Sequence, residues 1–282
     1  NPMVVLLDEP FDGLDATQRG RLLEKLEAIS KNCLVVIAAP TIQLVKRESV
    51  KTIQLVSDGF TSGEFQYKSM QKTGSYPPPR ISLALEKNNL TAKSFEKVIF
   101  QNQSLELFEG ALYSLEGPNG SGKTSLLKLL VSDQSRLVPE NFQDLFVTGT
   151  LEAELLLSDK FSKSEPGLSK ATFFSLLHGA ENQDADKLLA THPRDLSYAT
   201  SLALAIAIQV VHKPKVLLLD EPGKGFDPVA KAATIEALKC VAETGTAILY
   251  ATHDPEFVAA SHRRLRIQNQ QIREVTLESV EG

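Results

Sequence analysis

The stretch Gly117-Pro118-Asn119-Gly120-Ser121-Gly122-Lys123-Thr124 decides the fold of this chain. It fits the pattern Gly-x4-Gly-Lys-[Ser/Thr], in which glycines let backbone N–H groups converge on phosphate oxygens. The apolar residues 111–115 before it predict a strand, and the leucines after it predict the buried side of a helix, at Leu126, Leu127, Leu129 and Leu130. A strand that leads through such a loop into a helix predicts a phosphate-binding loop.

The last two residues of this loop, Lys123 and Thr124, carry side chains with specific predicted roles. We expect Gly117 to Ser125 to hold the phosphates of a nucleotide, with the helix N-terminus adding partial positive charge. The ammonium group of Lys123 is placed to reach the β- and γ-phosphates, and the hydroxyl of Thr124 to bind Mg²⁺. A glycine-rich turn that binds nothing is the competing interpretation, and the strand-loop-helix context argues against it.

A second motif, Val216-Leu217-Leu218-Leu219-Asp220-Glu221-Pro222, is an apolar strand that ends in two carboxylates. We expect Asp220 to hold Mg²⁺ and Glu221 to orient and deprotonate an attacking water molecule. His253 follows a further apolar run and is predicted to hydrogen-bond the γ-phosphate. Ligands of parallel sheets collect at the carboxyl edge of the strands, which places all three residues at one site.

The chain also contains an internal repeat. Sliding the sequence onto itself so that Asp8 meets Asp220 also aligns Glu9 with Glu221 and Asp15 with Asp227. This first copy, which opens with Val4-Val5-Leu6-Leu7-Asp8-Glu9-Pro10, has no phosphate loop before it. Because the chain begins immediately before an apolar strand, we expect it to be a piece of a longer polypeptide that continues upstream.

Apolar strands without alternation, separated by amphipathic helices, predict an α/β fold with a mostly parallel sheet flanked by helices. We predict a partial first domain at residues 1–67, a linker at 68–80 around Tyr76-Pro77-Pro78-Pro79, and a near-complete second domain at 81–282. Residues 150–211 lack strand alternation and predict a helical subdomain.

The composition of the chain limits the classes of protein to which it can belong. The chain is 42% hydrophobic and 23% charged with a net charge of −5, which gives no electrostatic reason to expect nucleic-acid binding. The two cysteines have no metal-ligand spacing, and a reducing cytoplasmic setting fits them. No apolar stretch approaches the ~20 residues that a membrane-spanning helix needs.

Taken together, these motifs resemble those of ATP-binding-cassette (ABC) ATPases over the whole chain. The resemblance implies that the chain binds and hydrolyses ATP with Mg²⁺. In the second copy it makes Lys123 and Thr124 the Walker A residues, Asp220 the Walker B aspartate, Glu221 the catalytic glutamate, Asp227 the D-loop aspartate and His253 the switch histidine. Glu140, in Val138-Pro139-Glu140-Asn141, stands at the position of the Q-loop glutamine.

The chain departs from the family pattern in several places. The family signature Leu-Ser-Gly-Gly-Gln appears as Leu196-Ser197-Tyr198-Ala199-Thr200, without its glycines. The position of the adenine-stacking aromatic residue holds Ala92, with Phe95 as a candidate substitute. Residues 131–137 are too few for the usual small β-subdomain. An ungapped alignment puts Thr41 at the switch-histidine position of the first copy.

The resemblance implies two cassettes that face each other, either within one chain or in a homodimer. Each ATP would lie between the Walker motifs of one cassette and the signature of the other. The Walker residues of the second copy would pair with a signature outside this sequence. The other site would pair Asp8 and Glu9 with the altered signature at Ser197. It combines two defects, which are the missing switch histidine of the first copy and the missing glycines of the signature. We therefore hypothesise one hydrolytic site and one degenerate site, and we expect the 282-residue chain alone to bind ATP weakly and hydrolyse it poorly.

The leading functional hypothesis is an ATPase on the cytosolic side of the membrane that drives an importer whose transmembrane subunits are separate chains. The run from Glu9 to Asp15 resembles ModF-type tandem cassettes, whereas residues 143–150 resemble the energy-coupling ATPases of cobalt or vitamin importers. Both assignments stay open. The alternatives are a soluble ABC protein that acts as a nucleotide-dependent switch or scaffold, and a cassette that binds ATP with little turnover.

Overall fold

The structure is a computed structural model that describes residues 2–11, 14–39, 53–56, 59–62, 82–94, 97–177 and 184–275. The chain divides into two compact units, which are residues 1–75 with 224–228 and residues 76–223 with 229–282. The predicted linker at 68–80 lies outside the described residues, and the predicted domain boundaries therefore stay predictions.

The first unit contains a small parallel sheet and a helix. Strand β1 (Val4–Asp8) pairs in parallel with β2 (Leu34–Ala38), and helix α1 (Ala16–Ser30) connects them. Asp15 caps α1 by accepting a hydrogen bond from the Gln18 backbone N–H at 2.9 Å, and the Asp15 N–H donates to Gln18 Oε1 at 3.1 Å. A hairpin of β3 (Ile53–Val56) and β4 (Gly59–Ser62) completes its described elements.

One face of this first sheet is exposed in the 282-residue chain. The outward side chains of Val4, Leu6, Leu34 and Val36 are 46%, 74%, 61% and 45% exposed. They occupy paired register positions and so share one face, whereas the opposite face is half-buried and α1 contacts β2. The apolar residues of these two strands therefore occupy one exposed and one half-buried face.

The second unit begins with a long antiparallel hairpin. Its strands are β5 (Leu83–Ser94) and β6 (Lys97–Phe108), twelve residues each. Register shifts between Leu83 and Lys93 interrupt the apolar alternation along β5. Ala84, Leu85, Leu90, Phe100, Leu105 and Leu107 from this hairpin enter the main core.

The main sheet of the second unit has six strands in the order β12-β11-β7-β10-β9-β8. They are β7 (Leu112–Glu116), β8 (Ser135–Val138), β9 (Val216–Asp220), β10 (Ala247–Ala251), β11 (Arg263–Gln268) and β12 (Gln271–Val275). All neighbours are parallel except β11 and β12. The predicted mostly parallel sheet is confirmed, and the carboxyl ends of β7, β10 and β9 are adjacent at one edge.

Helices cover this sheet. Helix α2 (Lys123–Leu130) follows β7 and packs on β9 and β10 through Leu126, Leu127 and Leu130, all fully buried. Leu129 was predicted on the same side but is 43% exposed, because it lies on the opposite face of the helix turn. Helix α7 (Pro228–Glu243) precedes β10, and α8 (Pro255–Ala260) follows it.

The region predicted to be helical contains α3 (Leu151–Ser162), α4 (Leu168–Leu176), α5 (Ala185–Ala190) and α6 (Tyr198–Val210), and a 3₁₀ turn at Phe142–Leu145 precedes it. Glu154 in α3 is buried and accepts hydrogen bonds from the N–H groups of Val147 and Thr148 at 3.1 and 2.8 Å. Among the described residues, no helix is long and apolar enough to cross a membrane.

Candidate functional site

The glycine-rich loop joins β7 to α2, and two of its glycines lie where a side chain does not fit. Gly117 has φ = 152°, and a Cβ there would lie 2.6 Å from Ser121 Oγ and 2.8 Å from the Ile267 carbonyl oxygen. Gly122 has φ = 102°, and a Cβ there would lie 2.4 Å from Ile99 Cγ2. The positive φ and the close packing both require glycine at these two positions. The loop therefore packs closely against Ile99 of β6 and Ile267 of β11.

Lys123 is the first residue of α2, and its side chain folds back along the loop. The residue is only 8% exposed, and Nζ donates to the Gly117 carbonyl oxygen at 2.8 Å and to that of Pro118 at 3.4 Å. The ammonium group therefore lies against the backbone carbonyl groups at the start of the loop.

Asp220 ends β9 beside this loop. It is 7% exposed, and burial raises the pKa of its carboxyl group, while a hydrogen bond from the Thr124 side chain and the charge of Lys123 act in the opposite direction. The negative charge of Glu140 also raises the pKa of Asp220. Thr124 and Asp220, the two predicted Mg²⁺ ligands, are thus in direct contact.

Glu221 follows Asp220 in a left-handed backbone conformation, with φ = 50°, and its N–H donates to the Ala251 carbonyl oxygen at 2.9 Å. The next residues pack against α8, since a Cβ at Gly223 would lie 2.3 Å from the Phe257 ring. Burial raises the pKa of the Glu221 carboxyl group to about 7, against the lowering effects of the Lys123 charge and the His253 N–H. At neutral pH this carboxylate is able both to hold and to release a proton.

His253 lies between Lys123 and Glu221. Its Nε2 is 3.0 Å from Lys123 Nζ and 3.5 Å from Glu221 Oε1, and its backbone N–H donates to Glu221 Oε2 at 3.3 Å. The His253 ring nitrogen thus lies within contact distance of both the loop lysine and the glutamate at the end of β9. The structure therefore brings the three predicted catalytic residues, Lys123, Glu221 and His253, into one cluster.

The loop that carries His253 is braced by residues that the sequence reading did not single out. Thr252 Oγ1 accepts from the Asp254 N–H at 3.0 Å, and Asp254 caps α8 by accepting from the Glu256 N–H at 2.9 Å. Asp254 also forms a salt bridge with Lys231 of α7, whose side chain is only 12% exposed. A lysine one turn into a helix gives no motif signal, and only the tertiary contact reveals it.

Other predicted residues surround the cluster less closely. Glu140 is exposed and acts on Asp220 and Glu221 through its charge. Asn119 and Gly120 are exposed at the loop tip, Pro118 contributes its carbonyl oxygen, and Ser125 is half-buried in α2. Asp227 belongs to the segment 224–228 of the first compact unit, and Phe95 and Thr41 lie outside the described residues.

The altered signature forms the start of α6. Ser197 caps the helix by accepting from the Thr200 N–H at 3.2 Å. The Tyr198 ring, 39% exposed, lies 4.8 Å from the ring of buried Phe142. Tyr198 therefore packs against the 3₁₀ turn that follows Glu140. The structure places Ser197 in a helix cap and shows no contact of Ser197 with the catalytic cluster among the described residues.

The two copies of the repeat share local geometry. In the first, Glu9 has φ = 42° and its N–H donates to the Ala38 carbonyl oxygen at 2.9 Å. This is the arrangement of Glu221 and Ala251, in which the strand-end glutamate is turned by the same backbone conformation. The aligned aspartates thus end parallel strands of equivalent register in both units.

The chemistry of the loop fits a triphosphate with Mg²⁺. Ser121 Oγ is a buried polar atom with no hydrogen-bond partner among the described residues, and it lies against Gly117 at the centre of the loop. A hydroxyl left without a partner in such a cradle fits a phosphate oxygen as acceptor. The oxygen donors of Thr124 and Asp220 are of the type that Mg²⁺ prefers.

Comparison with known proteins identifies the relatives of this chain. The family model described as ABC transporter matches residues 100–224. A provisionally named ABC transporter ATP-binding protein of Streptomyces avermitilis is 36% identical over 183 residues, 56% of this chain and 31% of the relative. The provisionally named HMP/thiamine import ATP-binding protein YkoD of Bacillus subtilis is 32% identical over 209 residues, 64% of this chain and 37% of the relative. The chain spans about a third of the length of these relatives.

Solved structures agree on the fold. The structure of an ATP-binding subunit of an ABC transporter has a TM-score of 0.58 at 19% identity, over 68% of this chain and 90% of that chain. The dimeric bacterial ABC transporter cassette MJ0796 has a TM-score of 0.54 at 22% identity, over 68% of this chain and 99% of that chain. The second unit therefore has the fold of ABC cassettes.

Proposed function

We propose that the protein binds and hydrolyses ATP with Mg²⁺ at the shared edge of β7, β10 and β9, because the ABC transporter family model matches residues 100–224, which contain the phosphate loop and β9. The observation that carries this proposal is the convergence of the loop lysine, the raised-pKa glutamate and the histidine. Lys123 Nζ, His253 Nε2 and Glu221 Oε1 follow one another at 3.0 and 3.5 Å.

Each group of site residues has a separate role in binding and hydrolysing ATP. The loop N–H groups and the Lys123 ammonium bind the negative charge of the β- and γ-phosphates, and the N-terminus of α2 adds to this field. Thr124 and Asp220 would hold Mg²⁺, which supplies positive charge to the phosphates when it is bound. Glu221 accepts a proton from the attacking water, since its pKa of about 7 permits exchange at neutral pH. His253 orients the γ-phosphate and this water.

Isothermal titration calorimetry of the 282-residue chain with MgATP tests the binding step. We expect saturable heat that Lys123→Ala abolishes, because the substitution removes the ammonium group and its bonds to the loop. Lys239→Ala is the matched control, since Lys239 is paired with Glu236 on the outer side of α7. No heat with the unaltered chain, or identical heat with Lys123→Ala, would contradict the proposal.

We also propose that the ATPase energises transport through separate transmembrane subunits, as a cytosolic protein at the membrane surface, and that the direction is import. The 32% identity to a protein named for HMP/thiamine import supports import, although the lantibiotic transport ATP-binding protein SrtF of Streptococcus pyogenes is also 27% identical. Co-purification with an integral membrane subunit from detergent extracts tests the partner, and substrate uptake by vesicles with enclosed or external ATP tests the direction.

We propose that two cassettes work face to face, with one hydrolytic and one degenerate site. The shared geometry of Glu9 and Glu221 supports a cassette-like first copy, and the packing of Tyr198 against Phe142 supports an altered signature. Rapid-quench measurement of nucleotide turnover checks the stoichiometry on a polypeptide that contains both cassettes. Two ATP molecules hydrolysed at equal rates would exclude the degenerate site. If the 282-residue chain and the polypeptide with both cassettes had equal specific activity, the expectation that this chain alone hydrolyses ATP poorly would be wrong.

A switch or scaffold without transport is the second candidate, and the carboxylate of Glu140 favours it. A negative charge at the Q-loop position raises the pKa of both Asp220 and Glu221 and so opposes charge on the catalytic carboxylates. Turnover below detection together with tight MgATP binding would support this candidate, whereas co-purification with an integral membrane subunit would favour transport. Turnover that Glu221→Gln abolishes, with MgATP binding retained, would exclude a cassette that binds ATP without hydrolysing it.

A further inference from the structure

Beside the phosphate loop lies a charged cluster that none of the motifs includes. Glu116 is the last residue of β7, and its neighbours on the parallel strand β11 are Arg264 and Arg266. Arg266 is in register with Glu116, and Arg264 with Ser114. Because the two arginines are two positions apart on a strand, both side chains lie on the face that carries the Glu116 carboxylate.

The contacts within this cluster are specific. Arg264 binds the Glu116 carboxylate through both oxygens, with Nε to Oε1 at 2.8 Å and Nη2 to Oε2 at 3.1 Å. Arg266 Nη2 adds a bond to Oε2 at 3.3 Å. The side chains of Glu116, Arg264 and Arg266 are 16%, 20% and 36% exposed. A two-pronged arginine–carboxylate pair fixes orientation as well as distance, and this one is partly shielded from water.

Within this cluster, Glu116 is joined by a peptide bond to Gly117, the first residue of the phosphate loop. Gly117, directly after Glu116, accepts the hydrogen bond from Lys123 Nζ, and its Cα lies against the carbonyl oxygen of Ile267, directly after Arg266. Strand β11 therefore holds the first residue of the loop by an ion pair before it and a backbone contact beside it.

We propose that Glu116, held by Arg264 and Arg266, is a positioning residue for nucleotide binding: it sets the path of the loop so that Gly117 and Lys123 grip the phosphates. This inference rests on the proposed ATP-binding function and adds to it a determinant outside the Gly-x4-Gly-Lys-Thr motif. Glu116 itself touches no nucleotide in this scheme and acts through the backbone of the loop.

The sign of the effect distinguishes positioning from simple electrostatics. The cluster has two positive groups and one negative group, and Glu116→Gln makes the surroundings of the loop more positive by one charge. Electrostatics alone would then strengthen the binding of a polyanion. Loss of positioning would weaken the binding of the polyanion, because the ion pairs of Glu116 would no longer hold the loop in its binding conformation.

The test is calorimetric titration of the 282-residue chain with MgATP, together with steady-state kinetics where turnover is measurable. We expect Glu116→Gln to raise the Kd about tenfold, equivalent to ~1.4 kcal/mol. Glu116→Asp, which keeps the carboxylate, should recover part of the affinity. KM should rise with kcat nearly unchanged, since the loop grips the substrate and the transition state alike. Hydrogen exchange of the loop amides should accelerate in the same variant.

Glu274→Gln is the matched control, because Glu274 on β12 pairs with Arg263 of the same strand β11 at 3.4 Å but is 47% exposed. This variant should change the Kd less than about twofold. If Glu116→Gln does not fold, Arg266→Lys keeps the positive charge beside the loop but loses the planar donor group that binds Glu116, and it should raise the Kd by a smaller factor. An unchanged or lower Kd with Glu116→Gln, or an equal rise with Glu274→Gln, would overturn the inference. No binding by the unaltered chain would instead refute the proposed function.

Discussion

At the scale of single residues, Glu221 shows how environment sets chemistry. An ordinary glutamate is almost fully ionised at neutral pH, but burial at the end of β9 opposes the charge and raises the pKa of Glu221 to about 7. The neighbouring Lys123 limits this rise, and Asp220 and Glu140 add to it. A base whose pKa lies near the working pH is well suited to take a proton from water.

Replacing Glu221 by glutamine removes the base but keeps the shape of the side chain. We expect MgATP hydrolysis to fall by about 10²–10⁴ in rate, the usual contribution of a general base, with MgATP binding retained. Phosphate release measures turnover and calorimetry measures binding. Glu236→Gln, a change on the exposed side of α7, should leave both unaltered. Turnover that survives Glu221→Gln would remove Glu221 from the mechanism.

The raised pKa of Glu221 also predicts a pH dependence. The base must be ionised to act, so kcat/KM, which reports groups of the free enzyme, should fall about tenfold per pH unit below pH 7 and level off above it. The measurement is kcat/KM from pH 5.5 to 8.5 at constant ionic strength. The Glu236→Gln variant should keep this acidic limb. A profile that is flat across pH 7 would contradict the assignment.

At the scale of elements, the loop between β10 and α8 is positioned from α7. Lys231 lies in the first turn of α7 and neutralises Asp254, the residue after His253, in a salt bridge whose side chains are 12% and 15% exposed. Asp254 simultaneously caps α8. The orientation of His253 thus depends on the relative placement of two helices and not only on its own strand.

Lys231→Met tests this dependence, because it keeps the aliphatic stem and removes the charge. We expect kcat to fall about tenfold with the Kd for MgATP unchanged, since breaking a shielded pair leaves Asp254 without its cation and loosens the loop. The imidazole signals of His253 in ¹H–¹⁵N spectra should shift as well. Lys239→Met, which removes an exposed pair of the same helix, should affect neither. Equal effects of both variants would show a general effect on α7.

At the scale of the whole molecule, the two repeats differ in what covers their sheets. In the second unit Val216, Leu218, Ala247 and Leu249 are fully buried in the core that also contains α2. Their counterparts Val4, Leu6, Leu34 and Val36 in the first unit are about half or more exposed. The same strand pattern is therefore a core in one unit and an apolar surface in the other.

This surface predicts how polar substitutions act in the first unit. Leu6→Gln with Leu34→Gln should reduce binding of the dye ANS and change the free energy of unfolding by less than about 0.5 kcal/mol per site, because both side chains are already in water. Leu26→Gln in α1, which is 8% exposed, should cost about 2 kcal/mol or more. Urea unfolding and ANS fluorescence measure the two effects. A large loss of stability from the surface pair would show that this face is buried.

The sequence by itself determined the strand-loop-helix unit, the strand ends at Asp220 and Glu221, and the α/β class, because each depends on local spacing and on continuous apolar runs. The long hairpin β5–β6 was missed, because its register shifts disturb the two-residue period on which strand recognition depends.

Only the tertiary structure decided which apolar strand faces are buried, which charged side chains meet and how far the pKa of Glu221 rises. Glu116 and Arg266 are 150 residues apart in the chain, and Lys231 and Asp254 belong to different helices. Such contacts and the burial around them arise from packing between distant segments, whose distances and desolvation no local sequence pattern encodes.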